Sequence, residues 1–244
     1  MIELPAERMT FMLGVLVNVI TAVVGGLVGS LFKKGIPEKI TNAVMVAIGL
    51  CVIYIGIDGA LKGENTLVLI ISMLIGTIIG SLIDIDDKVN KLGLWVEKKF
   101  NKGEKKVPIA QGFVTATLLF CVGSMTVVGS LNAGLLGDNQ MLYTKAILDL
   151  FSGTVIATSC GIGVVFSGIS VLVIQGGIVL LAEQLNGLLT TQAINEMTCV
   201  GSVIIIALGL NLVGISKFKV ANFMPAIILA PLVCMLMNLL PFSI

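Results

Sequence analysis

The chain has 244 residues, of which 57% are hydrophobic and only 12% are charged. Soluble domains carry about 25% charged residues, so this chain lacks the polar side chains needed to cover a water-facing surface. Its net charge of +1 provides no strong field that would indicate a nucleic-acid partner. The composition therefore predicts a protein whose partner and solvent is the lipid bilayer.

Two residue types limit the chemistry that the chain can carry. It contains no histidine, which removes the commonest metal ligand and the commonest general base. Its five cysteines stand singly within apolar runs, without the CxxC spacing of a metal site. We therefore expect no metal, no cofactor and no enzymatic activity.

Eight apolar segments can be drawn along the chain. Crossing a hydrocarbon core of about 30 Å takes roughly 20 apolar residues per helix. The segments cover residues 11–32, 41–61, 66–83, 109–131, 144–162, 168–186, 197–214 and 221–240. The pattern predicts an all-α polytopic transmembrane bundle of about eight spans. The stretch from 144 to 186 could also be one bent element.

The distribution of lysine and arginine favours eight spans and indicates their orientation. Twelve of these residues fall in the connections after the first, third and seventh spans, and three fall on the opposite side. Short cytoplasmic loops are enriched in lysine and arginine. We expect a protein of the inner membrane with both termini outside. The connection after the fifth span has no positive charge, which is the weak point of this scheme.

The one long polar connection, residues 84–108, contains the sequence DDKVNKLGLWVEKKF. Its apolar residues share one helical stripe and lysines occupy most of the rest, which is typical of an amphipathic helix in the membrane interface. A solvated linker helix is the alternative.

The first three spans resemble the last three. Aligning GVLVNVITAVVGGLVG with SGISVLVIQGGIVLLA places Gly25-Gly26 on Gly176-Gly177. The following spans align Gly56 with Gly209. Equivalent helices are five spans apart along the chain. Because five is an odd number, the two copies would have opposite orientations in the membrane. Secondary transporters often have such inverted repeats, with a substrate site near the bilayer midplane.

The repeat defines the expected organisation within one integral membrane domain. The expected parts are a three-span unit (1–83), the interfacial helix (84–108), a central two-span unit (109–163) and the inverted three-span unit (164–244).

The central spans are the most polar. Four of their hydroxyl side chains could line a polar cavity: Thr115, Ser124, Thr154 and Thr158. Small residues and hydroxyls also allow helices to pack closely, and hydroxyls can bond to their own backbone. Tight packing is therefore the alternative interpretation.

Lys145 and Asp149 in the fifth span are four residues apart, on one helix face. A lysine at the outer boundary can extend to water, whereas the aspartate one turn deeper cannot. We consider two roles for Asp149: a structural partner of Lys145, or a cation- or proton-binding group in an outer vestibule. Asp58, with Lys62 four residues on, repeats the pattern near the outer end of the second span, where an interfacial cap is the alternative.

Polar and glycine residues also occur in the first and sixth spans. The side chains of Asn18 and Gln175 could bond across helices or contact a solute. Two glycine pairs could break their helices and free backbone carbonyls, or could form packing notches. These pairs are Gly25, Gly26, Gly176 and Gly177.

Four stretches carry a family resemblance: GFVTATLLFCVGSMTVVGSL, MLYTKAILD, GLCVIYIGIDGALKG and VANFMPAIILAPL. They resemble a bacterial inner-membrane family catalogued as domain of unknown function 554. The resemblance covers nearly the whole chain and implies a multi-span protein described as transport-like, with no assigned substrate or catalytic residue.

The sequence favours a secondary transporter or permease for a small solute or ion. A non-transporting scaffold, regulatory or oligomer-forming membrane protein is the alternative. The sequence does not identify the solute and leaves open whether the chain forms a homo-oligomer.

Overall fold

The computed structural model describes residues 6–32, 38–91, 109–187 and 189–239. Throughout these ranges the regular structure is helical. The α-helices are α1 (Ala6–Phe32), α2 (Glu38–Ala60), α3 (Thr66–Ile83), α4 (Ile109–Cys121), α5 (Ser124–Leu136), α6 (Gln140–Cys160), α7 (Ser167–Leu180), α8 (Ala182–Leu185), α9 (Thr191–Val213) and α10 (Pro225–Leu239). Of the expected interfacial helix, only residues up to 91 are described, and they are helical over 85–91.

Several helices are suited to a lipid environment. Five helical runs in the described chain are long and apolar enough to cross a membrane, and the bent pair α4 and α5 would make a sixth. Large apolar side chains are exposed on their outer faces, among them Leu31, Leu82, Phe151 and Ile228. Side chains of this kind are stable against lipid but unfavourable in water. The chain is therefore an all-α membrane protein with several apolar spans.

The helices form two compact units, and these differ from the units expected from the repeat. The first unit comprises Met1–Ile36 and Lys105–Gly187, and the second comprises Pro37–Glu104 and Leu188–Ile244. Helix α1 packs chiefly against α6 and α7, whereas α2 packs against α9 and α3 against α10. Each unit therefore combines one early part of the chain with one late part.

Glycines on α1 account for its close approach to α6. A Cβ atom added to Gly25 would lie 2.5 Å from the carbonyl oxygen of Leu150, and one on Gly29 would collide with that of Thr154. Glycine removes this obstacle and lets two membrane helices touch along their backbones. The GG pair of α1 is thus a packing notch.

Neither glycine pair breaks its helix, contrary to the helix-break expectation. Helix α1 continues through Gly25 and Gly26, and α7 continues through Gly176 and Gly177. At Gly177 an added Cβ would meet no atom within 4 Å. The breaks instead occur at Gly123 and Gly161, which both have positive φ angles, and such angles are far more accessible to glycine than to other residues.

Residues 140–180 form a hairpin rather than one straight helix. Gly14 lies against Leu142, near the start of α6, while Gly176, near the end of α7, lies against Met12. A straight helix would place residues 142 and 176 about 50 Å apart, yet both neighbour the same turn of α1. The chain reverses through the 3-10 segment Gly161–Phe166. The two arms therefore run in opposite directions.

Helices α4 and α5 together traverse the first unit, with a bend of 60° between them. At the start of α4, Ile109 lies against Gly163 in the 3-10 turn. Near the end of α5, Gly134 lies against Val179 and Ala182, at the far end of α7. The start of α4 and the end of α5 therefore lie at opposite ends of α7. This pair is a broken span and not a loop that returns to its starting side.

The second unit is built on two antiparallel helix pairs. On α2, Gly49 lies against Gly209 and Gly56 against Ser202 of α9. On α3, Gly80 lies against Asn222, just before α10. Small residues again set the distance between the helices.

Mutation can distinguish a glycine that packs against another helix, Gly25 on α1, from one with open space around it, Gly177 on α7. We expect Gly25→Ala to destabilise the protein by about 1–3 kcal/mol, because the added methyl group overpacks the contact with Leu150. Gly177→Ala is the matched control and should be neutral or slightly stabilising, since its site has space and alanine favours helix. Thermal unfolding in detergent would measure both, and equal melting temperatures would contradict the packing-notch assignment.

Candidate functional site

The broken span places an irregular stretch of backbone inside the first unit. Helix α4 ends at Cys121 and α5 begins at Ser124, with Gly123 at a φ of +135° between them. The Thr126 hydroxyl donates a hydrogen bond of 3.0 Å back to the carbonyl oxygen of Phe120 and closes the break. Helix ends leave backbone N–H and C=O groups without intrahelical partners, so this break is a polar point within an apolar bundle.

A buried ion pair lies in the same unit. The Lys145 ammonium nitrogen is 2.9 Å from Oδ1 and 2.8 Å from Oδ2 of Asp149. Only 6% of Lys145 and 5% of Asp149 is exposed. Four-residue spacing on α6 puts both side chains on one face, which is turned into the protein. Each charge therefore neutralises the other in the interior.

Asp149 is nine residues from the start of α6 at Gln140, which is about 14 Å along the helix. Lys145 does not extend outward to water, because its ammonium group bonds to the carboxylate one turn further in.

The ion pair and the helix break are close together. Phe120, next to the last residue of α4, lies against Gly153 on α6, one turn beyond Asp149. On the α1 side, the Asn18 side chain lies beside the Asp149 carboxylate, although its amide makes no hydrogen bond of regular geometry to a described residue. Helices α1, α4 and α6 thus converge on one polar point.

Other polar groups in this unit are buried with unused hydrogen-bonding capacity. Asn18, Thr115, Ser130 and Gln175 are all fully buried. Their side-chain polar atoms have no hydrogen-bond partner among the described residues. Buried polar groups are nearly always paired in native proteins, with protein atoms or with ordered water. These groups are therefore candidates for contact with water or a solute.

The remaining predicted residues lie apart from this centre. The Thr154 and Thr158 hydroxyls donate to carbonyl oxygens of their own helix, those of Leu150 and Val155. Asp58 belongs to the second unit and is exposed. The side chain of Ser124 lies outside the described residues. Of the predicted cavity hydroxyls, Thr115 is the one described with free bonding capacity.

Sequence reasoning missed one buried acid, Glu196. Its Oε1 accepts hydrogen bonds from the backbone N–H groups of Glu64 and Asn65, at 2.8 and 2.7 Å. Those groups precede α3, whose amino end favours a negative charge. The expected span began at residue 197, which left Glu196 in a loop. A signal existed: Thr190 caps the helix by accepting from the N–H of Ala193, a typical helix start.

Two of the three acidic residues after α3 are paired with lysines. Asp84 adopts a left-handed φ of 49° and accepts a 3.1 Å bond from Lys219. That bond lowers the pKa of Asp84, against a smaller opposing effect of partial burial. Asp87 pairs with Lys91 and raises the pKa of that lysine. In the described ranges no group of three or more side chains could hold a metal.

Comparisons with known proteins identify similar membrane proteins. Residues 13–235 match the family described as "Protein of unknown function (DUF554)". The chain is 33% identical to the uncharacterized membrane protein YdfK of Bacillus subtilis, over 91% of this chain and 95% of that protein. It is 30% identical to the uncharacterized protein YqgA of Escherichia coli, over 89% and 94%. No solved structure matches.

Removing only one partner of the ion pair should destabilise the protein. Lys145→Met or Asp149→Leu alone leaves an unpaired buried charge, which costs about 3–5 kcal/mol. The double variant removes both charges and should recover stability close to that of the wild type. Unfolding of the three variants in detergent would measure this coupling. Additive losses in the double variant would contradict the pairing.

Glu196 should act mainly as an acceptor for the amino end of α3. Glu196→Gln retains an acceptor oxygen and loses the charge, with an expected cost of about 0.3–2 kcal/mol. Glu196→Leu leaves the N–H groups of Glu64 and Asn65 unpaired, at about 1–3 kcal/mol each. Unfolding in detergent should show that the wild type is the most stable, the Gln variant less stable and the Leu variant the least stable. Equal stability of the Gln and Leu variants would be inconsistent with this role.

Proposed function

The chain belongs to the DUF554 family of membrane proteins, and we propose that it is a permease for a small solute, with its site at the break between α4 and α5. The observation that carries the proposal is the buried Lys145–Asp149 pair beside that break. Charged residues inside membrane proteins are costly, and they commonly mark substrate or ion pathways.

We further propose that the chain crosses the cytoplasmic membrane eight times, with both termini outside. Four segments run in alternating directions in the first unit: α1, the pair α4 and α5, α6, and α7 with α8. The antiparallel pairs of the second unit supply four more. The excess of lysine and arginine in the connections assigned to the inside supports this orientation.

An inverted repeat is part of this proposal, and the glycine contacts of the second unit support it. A Cβ atom on Gly56 would lie 2.9 Å from the carbonyl oxygen of Ser202 and 2.6 Å from Cγ1 of Ile206. One on Gly209 would lie 2.9 Å from the oxygen of Gly49 and 2.6 Å from Cγ1 of Ile53. Adding 153 to Gly56 and Ile53 gives Gly209 and Ile206. The sequence alignment of Gly56 with Gly209 therefore matches a local two-fold relation.

The proposed mechanism is alternating exposure of one site within the first unit. Discontinuous helices in transporters present their free backbone groups to a substrate near the midplane. Here the break at Gly123, the paired charges on α6 and the Asn18 amide would form the lining. The ion pair would hold α6 in register while keeping the interior neutral.

A role as an enzyme is not part of the proposal. The chain has no histidine, and the two buried charges in the described part of the first unit are bonded to each other rather than poised for proton transfer. The competing proposal is a non-transporting scaffold or oligomer-forming protein. Its interior would be dry, which the unpartnered polar groups of the first unit do not favour.

Solute-induced volume changes of proteoliposomes test the permease. Vesicles containing the purified protein are mixed with hyperosmotic urea, glycerol, glycine, sodium chloride or potassium chloride, and light scattering follows solute uptake. We expect at least one solute to enter about tenfold faster than into protein-free vesicles, and Asp149→Asn to abolish the difference. Breaking the pair removes the neutral lining of the site.

Two further variants control for misfolding. Asp58→Asn changes an exposed carboxylate outside the site and should leave uptake unchanged. The double variant Lys145→Met with Asp149→Leu should be folded and yet inactive. Uptake equal to that of protein-free vesicles for every solute, or full uptake by both site variants, would contradict the proposal.

A further inference from the structure

We propose that the solute is small, carries no net charge, and both donates and accepts hydrogen bonds; this inference rests on the proposed permease function. It follows from two properties of the first unit. Its two buried charges are paired with each other, whereas several of its buried neutral polar groups have no hydrogen-bond partner among the described residues. The unit therefore offers hydrogen-bonding sites without an unbalanced charge.

The charges of the interior sum to zero. In the described part of the first unit, Lys145 and Asp149 are the buried charged residues. Both carboxylate oxygens of Asp149 accept from the Lys145 ammonium group. An ion of either sign would enter without a counter-charge, or would have to separate this pair. Both alternatives place an unpaired charge in an interior of low polarity, which is strongly unfavourable.

The unused hydrogen-bonding capacity is neutral and of both kinds. The amides of Asn18 and Gln175 each provide two donor hydrogens and an acceptor oxygen. The hydroxyls of Thr115 and Ser130 each provide one donor and an acceptor. All four residues are fully buried and lack partners in the described structure. A molecule that only accepts, or only donates, would leave half of this capacity unsatisfied.

The helix register distributes these groups along the first unit. Helices α1 and α7 are antiparallel, with Met12 near Gly176, and with Val19 and Val23 both near Gly168. Asn18 is therefore opposite about residue 171 on α7, and Gln175 lies about four residues further along. The axial distance between the two amides is roughly 6 Å. A small solute bound near Asn18 would thus be about one helical turn from Gln175.

Other polar side chains in the unit do not contribute in this way. The Thr117 hydroxyl bonds to that of Ser170 at 3.0 Å. The Thr154 and Thr158 hydroxyls bond to their own helix. The free capacity is therefore confined to a subset of the polar residues, and that subset is testable by substitution.

Urea, guanidinium and nitrate provide a matched set of probes, since all three are planar and similar in size but carry charges of zero, plus one and minus one. Uptake into proteoliposomes is measured with valinomycin and potassium present, so that no membrane potential limits ion movement. Acetamide and glycerol extend the neutral set. We expect at least tenfold faster uptake of one or more neutral probes than by protein-free vesicles, with guanidinium and nitrate unchanged.

Substitution of the amides links this selectivity to the site. Asn18→Leu and Gln175→Met preserve side-chain shape and remove hydrogen bonding. We expect each to lower uptake of the neutral probe about tenfold while raising the melting temperature, because an unpaired buried amide has been removed. Thr158→Val removes a hydroxyl that is already bonded, and it should leave uptake unchanged.

Three outcomes would overturn the inference, and they are distinguishable from failure of the permease. Guanidinium or nitrate uptake as fast as that of the neutral probes would retain a permease and refute the solute class. A higher melting temperature of Asn18→Leu and Gln175→Met with unchanged uptake would show that these amides contact no solute. Uptake of no probe above that of protein-free vesicles, with none in the wider solute set, would refute the permease itself.

Discussion

The bond between Lys145 and Asp149 constrains the first unit more than any other interaction. Two opposite charges near the middle of an apolar bundle must remain bonded to each other, because either one alone would be strongly destabilising. This requirement fixes which face of α6 points inward. Backbone carbonyl groups of the same helix, those of Leu150 and Thr154, lie against the glycines of α1. The electrostatic and steric requirements therefore select one arrangement of the two helices.

The close backbone contact between α1 and α6 contrasts with the unpartnered polar side chains on α4, α5 and α7. Where Gly25 and Gly29 meet α6, backbone atoms touch and no space remains for another molecule. Thr115, Ser130 and Gln175 belong to the other helices, and their polar atoms are unpartnered. Natural proteins retain such unfavourable groups chiefly at functional sites. Close backbone contacts and unpartnered polar groups thus coexist within one unit.

The sequence predicted the helices and the i, i+4 charge spacing, because hydropathy and helical periodicity are local properties. It did not predict which helices pack together, since glycines mark every span and the partner of each lies far along the chain. The break at Gly123 was missed for a related reason. Helix breaks were predicted at the GG pairs because a pair is visible in the sequence, whereas the positive φ of a single glycine depends on tertiary context. Glu196 was missed because the predicted span began at residue 197, whereas the helix begins just after its cap at Thr190.

The proposed repeat and the proposed site overlap only in part along the chain. The helices assigned to the repeat, such as α2 and α9, meet through glycines with nearly equal contact distances. The broken span and α6, which carry Thr115, Ser130 and the ion pair, lie outside the aligned segments. Asn18 and Gln175, by contrast, lie within the aligned segments on α1 and α7. The proposed site of the first unit therefore combines two amides from the repeat with the hydroxyls and the ion pair of the helices between them.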